Sequence, residues 1–289
     1  MPFDNIATIT DLCVPNELDF DVIVESKAKL HQNSAIKYAD NDYTVMDQWG
    51  NAFQNCSDKY KPILYREPIE IVKEALILAG LEYEPCTMKW NWSASKGQMS
   101  LHITFPQILI TPQVGDTVAF RVVIYNSYDG RAVLQQLVEA VRLICTNGMT
   151  RGDQRYNTRR KHTTNIDLSR ESVKMQLGLD SFYESEARYQ KWTRTPVLTS
   201  RVEGLFKKTL TKKEGGKFPY TVKTLDDLML DWNRTSANMG RNVWSAYNVA
   251  TAWASHAPTS SFIETKRRER NTKVASMLNS DHWLELEES

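Results

Sequence analysis

Residues 99–130 read MSLHITFPQILITPQVGDTVAFRVVIYNSYDG and carry the clearest structural pattern in the chain. Every second residue over 99–105 is apolar, and the same alternation returns over 118–125. A period of two is typical of a strand that turns one face toward a core. Turn-forming residues lie at 112–116 and again in the NSYDG segment at 126–130. The stretch therefore predicts consecutive antiparallel strands joined by short turns.

The sequence flanking these strands predicts one helix, and it leaves the secondary structure of one further segment undecided. Apolar residues recur at helical spacing over 67–80, with a proline in the first turn and a glycine at the end. Over 131–145 a helical stripe is the favoured interpretation. A strand is the alternative there, because apolar residues from Leu137 to Cys145 also fall on one period-two face.

The second half of the chain is predicted to be mainly helical. Helices are expected at 167–177, 181–192, 225–232, 243–253 and 266–277, with an exposed Lys- and Gly-rich loop at 207–223. Their expected core anchors are Trp232, Trp244, Tyr247 and Trp253. The fold class that follows is α+β, an antiparallel sheet scaffold with packed helices and a helix-rich C-terminal half.

Three regions are predicted along the chain. Residues 1–60 form a mixed N-terminal region, which includes short strands at 22–24 and within 35–45. Residues 61–165 form a sheet and helix core that carries a basic segment, and 166–289 form a helical, basic region. The last two are either separate domains or one composite domain, because no Pro- or Ser-rich linker divides them.

Composition places the chain among folded proteins. Hydrophobic residues make up 41% and charged residues 25%, as in globular domains. No apolar run approaches the roughly 20 residues that cross a bilayer. The first residues lack the basic start and apolar core of a signal peptide, so we expect a cytoplasmic protein without a membrane partner. The cysteines have no C-x-x-C spacing, which argues against a disulfide framework or a zinc site.

Charge is distributed unequally along the chain. Residues 1–140 hold 11 Lys/Arg against 18 Asp/Glu, whereas residues 141–280 hold 25 Lys/Arg against 13 Asp/Glu. The total is only +1, so long-range attraction of a polyanion is weak. A nucleic-acid partner would therefore have to bind a local basic patch.

The signatures of common enzyme chemistries are missing from the sequence. It has no phosphate-binding glycine loop, no G-x-S-x-G nucleophile elbow and no H-E-x-x-H zinc helix. Asp226, Asp227 and Asp231 could serve a metal-dependent nuclease, but acids at a helix start are favoured by the helix dipole. We therefore predict no catalytic residue, metal ligand or cofactor, and keep the nuclease as a minor alternative.

Residues 142–164, RLICTNGMTRGDQRYNTRRKHTT, form the strongest candidate site. Cations neutralise phosphates and aromatic rings stack on unpaired bases, and this segment supplies both groups. A second, similar mixture follows near residue 190. The predicted nucleic-acid-binding residues are Arg151, Arg155, Tyr156, Arg159, Arg160 and Lys161, followed by Lys191, Trp192 and Arg194.

Four stretches resemble the phage/plasmid-like protein family, a domain-of-unknown-function family of phages, prophages and plasmids. They are GDTVAFRVVIYNSYDGR, VRLICTNGM, RRKHT and NVWSAYNVATAWASH, in that order within about residues 60–275. The shared elements are the SYDG turn, R-x-x-C-x-N-x-[ML], the arginine–histidine pair and Y-N-x-x-T. The resemblance implies a mobile-element protein among DNA-metabolism functions, and a more strand-like segment after the SYDG turn.

The hypothesis that follows is a single-stranded DNA-binding protein of phage recombination or replication, which could also anneal complementary strands. Single-strand annealing proteins share the combination of an antiparallel sheet with a helix, although a shared architecture does not establish a function. Such a protein is expected to form a homo-oligomer, because one module covers few nucleotides. The alternative is a phage interaction protein that binds or inhibits a host factor.

Overall fold

The computed structural model describes residues 5–32, 42–82, 85–142, 147–149, 157–163, 167–211, 222–256 and 263–288. In chain order, the strands are β1 (Asn5–Ile9), β2 (Val22–Ser26), β3 (Tyr43–Asp47), β4 (Ala52–Cys56), β5 (Thr87–Trp92), β6 (Gln98–Gln113), β7 (Asp116–Ser127), β8 (Leu134–Arg142), β9 (Asn147–Met149) and β10 (Asn157–Arg160). The helices are α1 (Lys27–Leu30), α2 (Glu67–Leu78), α3 (Glu171–Arg194), α4 (Thr199–Thr209), α5 (Val222–Met239), α6 (Val243–His256), α7 (Ile263–Leu278) and α8 (Asp281–Glu287).

The described strands form two sheets. The larger has the order β1-β5-β6-β7-β8-β10, and β9 also pairs with β8. The smaller has the order β2-β3-β4. The α+β prediction, with antiparallel sheets and a helical C-terminal half, is confirmed. Strands β6 and β7 contain both alternating segments, and the apolar residues at 99–105 and 118–125 are buried.

The favoured helix over 131–145 is wrong, and the strand alternative is right where the structure describes the segment. Residues 134–142 form β8, which pairs with β10 through Leu137 and Gln136 and with β9 through Val141. The apolar positions fit both a helical and a strand period. Hydrogen bonds to these strands and to β7, the neighbour of β8 opposite β10, decided between them, because they satisfy the backbone of a largely buried segment.

The helices differ from their predicted bounds in two places. The two helices expected at 167–177 and 181–192 are one continuous helix, α3. Gly178 lies inside it at a cost of about 1 kcal/mol relative to alanine, and burial of Met175, Leu179 and Phe182 offsets that cost. The loop expected from 207 begins later, because α4 continues to Thr209; residues 212–221 lie outside the described residues.

The chain divides into two compact units. Unit 1 comprises residues 1–107, 121–138 and 156–179, and unit 2 comprises residues 108–120, 139–155 and 180–289. The division falls within β6, β7, β8 and α3, so each of these elements contributes to both units.

An aromatic cluster forms part of the core of unit 1. The rings of Tyr65 and Tyr128 stack with centroids 4.2 Å apart, and Phe20 meets both rings edge-on. The Tyr128 hydroxyl accepts a hydrogen bond from the Tyr65 backbone N–H at 2.9 Å. Asp129 accepts hydrogen bonds from the Gln98 side chain at 2.6 Å and from the Arg131 backbone N–H. The SYDG turn therefore has a structural role in this core.

Buried tryptophans and an ion pair define the core of unit 2. Trp192 and Trp244 are buried with Tyr247 among them, and the ring centroids of Trp192 and Tyr247 lie 5.0 Å apart. The buried carboxylate of Asp116 accepts hydrogen bonds from Arg142 Nε and from Trp244 Nε1, the latter at 2.7 Å. Arg142, the first residue of the R-x-x-C-x-N-x-[ML] element, thus holds β8 to β7 and α6. Among the described helices, none is both long and apolar enough to span a bilayer.

Candidate nucleic-acid interface

A short basic strand, β10, ends one side of the larger sheet in the described part of the chain. It pairs antiparallel with β8, placing Arg159 opposite Gln135 and Arg160 opposite Leu134. Side chains alternate between the faces of a strand, so Arg159 and Arg160 point in opposite directions. We call residues 157–161 the basic edge.

Arg160 anchors the basic edge to α3. Its Nε donates to Glu171 Oε1 at 3.0 Å, its Nη2 also donates to that oxygen, and Lys174 Nζ lies 2.9 Å from it. Burial by itself would raise the pKa of Glu171. Hydrogen bonds from Lys174, Thr158 and Arg160, with the charge of Arg160, outweigh burial and hold that pKa below its ordinary value.

The prediction of Arg160 as a phosphate contact therefore needs correction. Its guanidinium is engaged by a buried carboxylate inside unit 1, which fixes β10 against the first turn of α3. The residue positions the strand instead of offering a free charge. Sequence reasoning missed Glu171, because its separation from Arg160 in sequence gives no sign of the pairing.

Arg159 and Lys161 remain available to a ligand. Both side chains are exposed, and neither forms an ion pair with a residue that the structure describes. Arg159 and Lys161 are two residues apart, which along an extended chain corresponds to a backbone distance of roughly 7 Å. Arg159 lies on the strand that Arg160 holds in place, and Lys161 directly follows that strand.

A stacked ring pair closes the end of the basic edge. The rings of Tyr60 and His162 lie nearly parallel, with centroids 5.3 Å apart and planes at 14°. The Lys61 backbone N–H donates to the His162 carbonyl at 3.4 Å. Burial lowers the pKa of His162 to about 4, so its imidazole is neutral at pH 7. Neither ring nitrogen has a hydrogen-bond partner among the described residues.

In the second predicted group, which lies on α3, only the two cations are exposed and can reach a ligand. Lys191 and Arg194 are exposed. Trp192 is only 2% exposed, and its Nε1 donates to Glu287 Oε1 at 2.9 Å. The Arg188 guanidinium lies 4.9 Å from its ring centroid and also pairs with Glu287. Trp192 is therefore a core residue, and its assignment as a base-stacking residue is corrected: apolar residues at helical spacing on α3 face the interior.

Three predicted contacts and one minor alternative remain to be placed. Arg151, Arg155 and Tyr156 lie outside the described residues, in the segment that joins β9 to β10. The acids of the nuclease alternative, Asp226, Asp227 and Asp231, lie on α5. The described residues contain no group of three or more His, Cys, Asp or Glu side chains arranged to hold a metal ion.

An exposed aromatic ring that sequence reasoning missed lies on unit 1. Trp49 is 63% exposed in the turn between β3 and β4. Asp47 holds this turn, because its carboxylate accepts hydrogen bonds from the backbone N–H of Trp49 at 3.0 Å and of Asn51 at 2.8 Å. Burial by itself would raise the pKa of Asp47, but hydrogen bonds from the Asn51 side chain and from the backbone N–H groups of Asn51, Trp49 and Gly50 lower it overall. The turn therefore presents a large ring from a fixed backbone.

A family model described as a domain of unknown function (DUF932) matches residues 52–280. No match was found among the curated proteins or among the solved structures. The matched range contains the basic edge, the Tyr60–His162 pair and Glu171, whereas Trp49 lies before it.

Proposed function

The chain belongs to the DUF932 family of domains of unknown function, and on that premise we propose that it is a non-enzymatic protein that binds single-stranded DNA. We place it in the recombination or replication of a phage or related mobile element, where it would anneal complementary strands. The observation that carries the proposal is the basic edge, where Arg159 and Lys161 are exposed while Arg160 is anchored.

The proposed phosphate binding is supported by the exposure of these two cations. An exposed cation without an internal partner can neutralise a phosphate and release a counterion, which drives binding. The ion pair between Arg160 and Glu171 fixes the strand, so less conformational freedom is lost when the DNA binds. Arg151, Arg155, Lys191 and Arg194 are the further cations that we assign to this function.

Base stacking is the second part of the proposal. Binding to single strands depends on aromatic faces that accept any base. Trp192 is excluded by its burial, and Trp49 is exposed on a turn that Asp47 holds. We assign stacking to Trp49, and to Tyr156 from the sequence pattern.

The test is binding of a labelled oligonucleotide across a salt series. The double substitution Arg159→Gln and Lys161→Gln should reduce the steepness of the salt dependence by about 1.4, since each phosphate on a single strand contributes about 0.7. Affinity at low salt should fall roughly tenfold. The matched control is Arg201→Gln with Lys208→Gln, which removes the same charge from exposed positions of α4.

Equal losses in the two double variants would show that only overall charge matters, and would overturn the site assignment. A wild-type protein that does not bind single strands even at low salt would overturn the function itself. Capture of a host protein in that case would favour the alternative of an interaction protein. Annealing is followed separately, as the rate at which two labelled complementary strands pair.

A further inference from the structure

Four exposed apolar side chains of unit 1 lie where α2 ends beside α3. Ile77, Leu78, Val173 and Leu177 are each between 48% and 63% exposed. We call these four residues the apolar patch. Isolated apolar residues are common on protein surfaces, but a contiguous group usually marks an interaction site.

A hydrogen bond joins the end of α2 to α3 beside the patch. The Gln176 side chain Nε2 donates to the Leu78 carbonyl oxygen at 3.4 Å, which brings the end of α2 against α3. Val173 and Leu177 are one helical turn apart and therefore lie on one face of α3. The opposite faces of both helices are buried in the core, for example at Leu76 and Met175. The patch is thus an outward surface that neither helix uses within unit 1.

One exposed acid and one exposed base lie near the patch in sequence, each by a different helix. Glu74 precedes Ile77 by three residues on the exposed face of α2, and Arg170 precedes Val173 by three residues at the start of α3. Both side chains are exposed, and neither forms an ion pair with another residue in the ranges that the structure describes. The patch therefore has an exposed acid on its α2 helix and an exposed base directly before its α3 helix.

We propose that this surface binds a second copy of the same chain through a two-fold axis. A two-fold rotation exchanges the two sides of the patch, so Glu74 of one copy faces Arg170 of the other while the apolar side chains meet between them. A surface that carries both signs of charge around an apolar centre is complementary to itself. The inference does not rest on nucleic-acid binding, because none of these residues belongs to the basic edge.

The expected association is of moderate strength. Stable dimers bury roughly 800 Å² per partner, and four half-exposed side chains supply only part of that area. Polar residues around the patch must make up the rest, so we expect a dissociation constant in roughly the micromolar range. The oligomeric state should therefore change with protein concentration.

The experiment measures the mass of the full chain without nucleic acid by sedimentation over a concentration series. The wild type should pass from monomer to dimer, and Leu177→Lys should weaken dimerisation at least tenfold. Leu230→Lys is the control, since Leu230 is exposed to a similar degree on α5. It should leave dimerisation unchanged.

Reversing the charges of Glu74 and Arg170 tests the two-fold arrangement even if the Leu177→Lys variant fails to fold. Arg170→Glu and Glu74→Arg should each weaken the dimer severalfold, and the double variant should restore it. A wild type that is monomeric at all concentrations, or a dimer that none of these changes affects, would overturn the proposal. The Arg159→Gln, Lys161→Gln variant should still dimerise, which separates this result from a failure of DNA binding.

Discussion

Replacing His162 with phenylalanine should remove much of the acid sensitivity of unit 1. The histidine ring is buried against Tyr60, with neither ring nitrogen bonded to a described residue. Phenylalanine keeps a flat ring for the stack and has no group that titrates. The substitution therefore isolates the proton equilibrium of one side chain from its packing.

The magnitude follows from the position of the histidine pKa. Burial lowers the pKa of His162 from an ordinary 6.5 to about 4. One pKa unit corresponds to about 1.4 kcal/mol, so the effect on the free energy of unfolding is about 3 kcal/mol. Between pH 6.5 and about 4 the unfolded chain takes up a proton that the folded chain does not. This contribution of His162 to the free energy of unfolding is fully present above pH 6.5 and is lost as the pH falls to about 4.

The assay is urea unfolding followed by tryptophan fluorescence at half-unit steps across this pH range. Carboxylates also titrate there, but they contribute equally to both proteins, so the difference between wild type and His162→Phe reports the histidine. At neutral pH the variant should be about 1 kcal/mol more stable, because two buried nitrogens that bond to no described residue are removed. His31→Phe, at an exposed histidine, is the control. Equal pH dependence in wild type and His162→Phe would refute the reasoning.

Three further substitutions test the roles of other side chains. Glu171→Gln should lower the free energy of unfolding by about 1–3 kcal/mol, because Arg160 and Lys174 lose a buried carboxylate; denaturant unfolding measures it, and an unchanged midpoint would contradict the anchor. Asp116→Asn should cost about 3–5 kcal/mol, because a neutral amide replaces the buried carboxylate that accepts hydrogen bonds from Arg142 and Trp244. Thermal unfolding is the measurement, and a loss below about 1 kcal/mol would count against that role. Trp49→Ala should weaken single-strand binding by about 1–3 kcal/mol with little change in stability; unaltered affinity in an oligonucleotide titration would remove Trp49 from the interface.

The sequence determined the parts of the fold whose pattern is local. The period of two over 99–105 and 118–125 predicted strands that the structure contains as β6 and β7. The spacing over 67–80 predicted α2 nearly to its bounds. These patterns suffice because each element places one face against the core, and the spacing of its apolar residues records that face.

The tertiary structure decided which neighbours each element meets. The segment that became β8 carries apolar residues compatible with both periods, and its pairing with β7, β9 and β10 selected the strand. The same limit applies to the candidate site. The sequence identified Arg159 and Lys161 as cations of a basic segment, but it could not separate them from Arg160, whose partner Glu171 lies on another element. It also could not show that Trp192 is enclosed by aromatic rings, since burial depends on how the helices pack. Local periodicity specifies secondary structure, whereas pairing and enclosure arise from contacts between residues far apart in the chain.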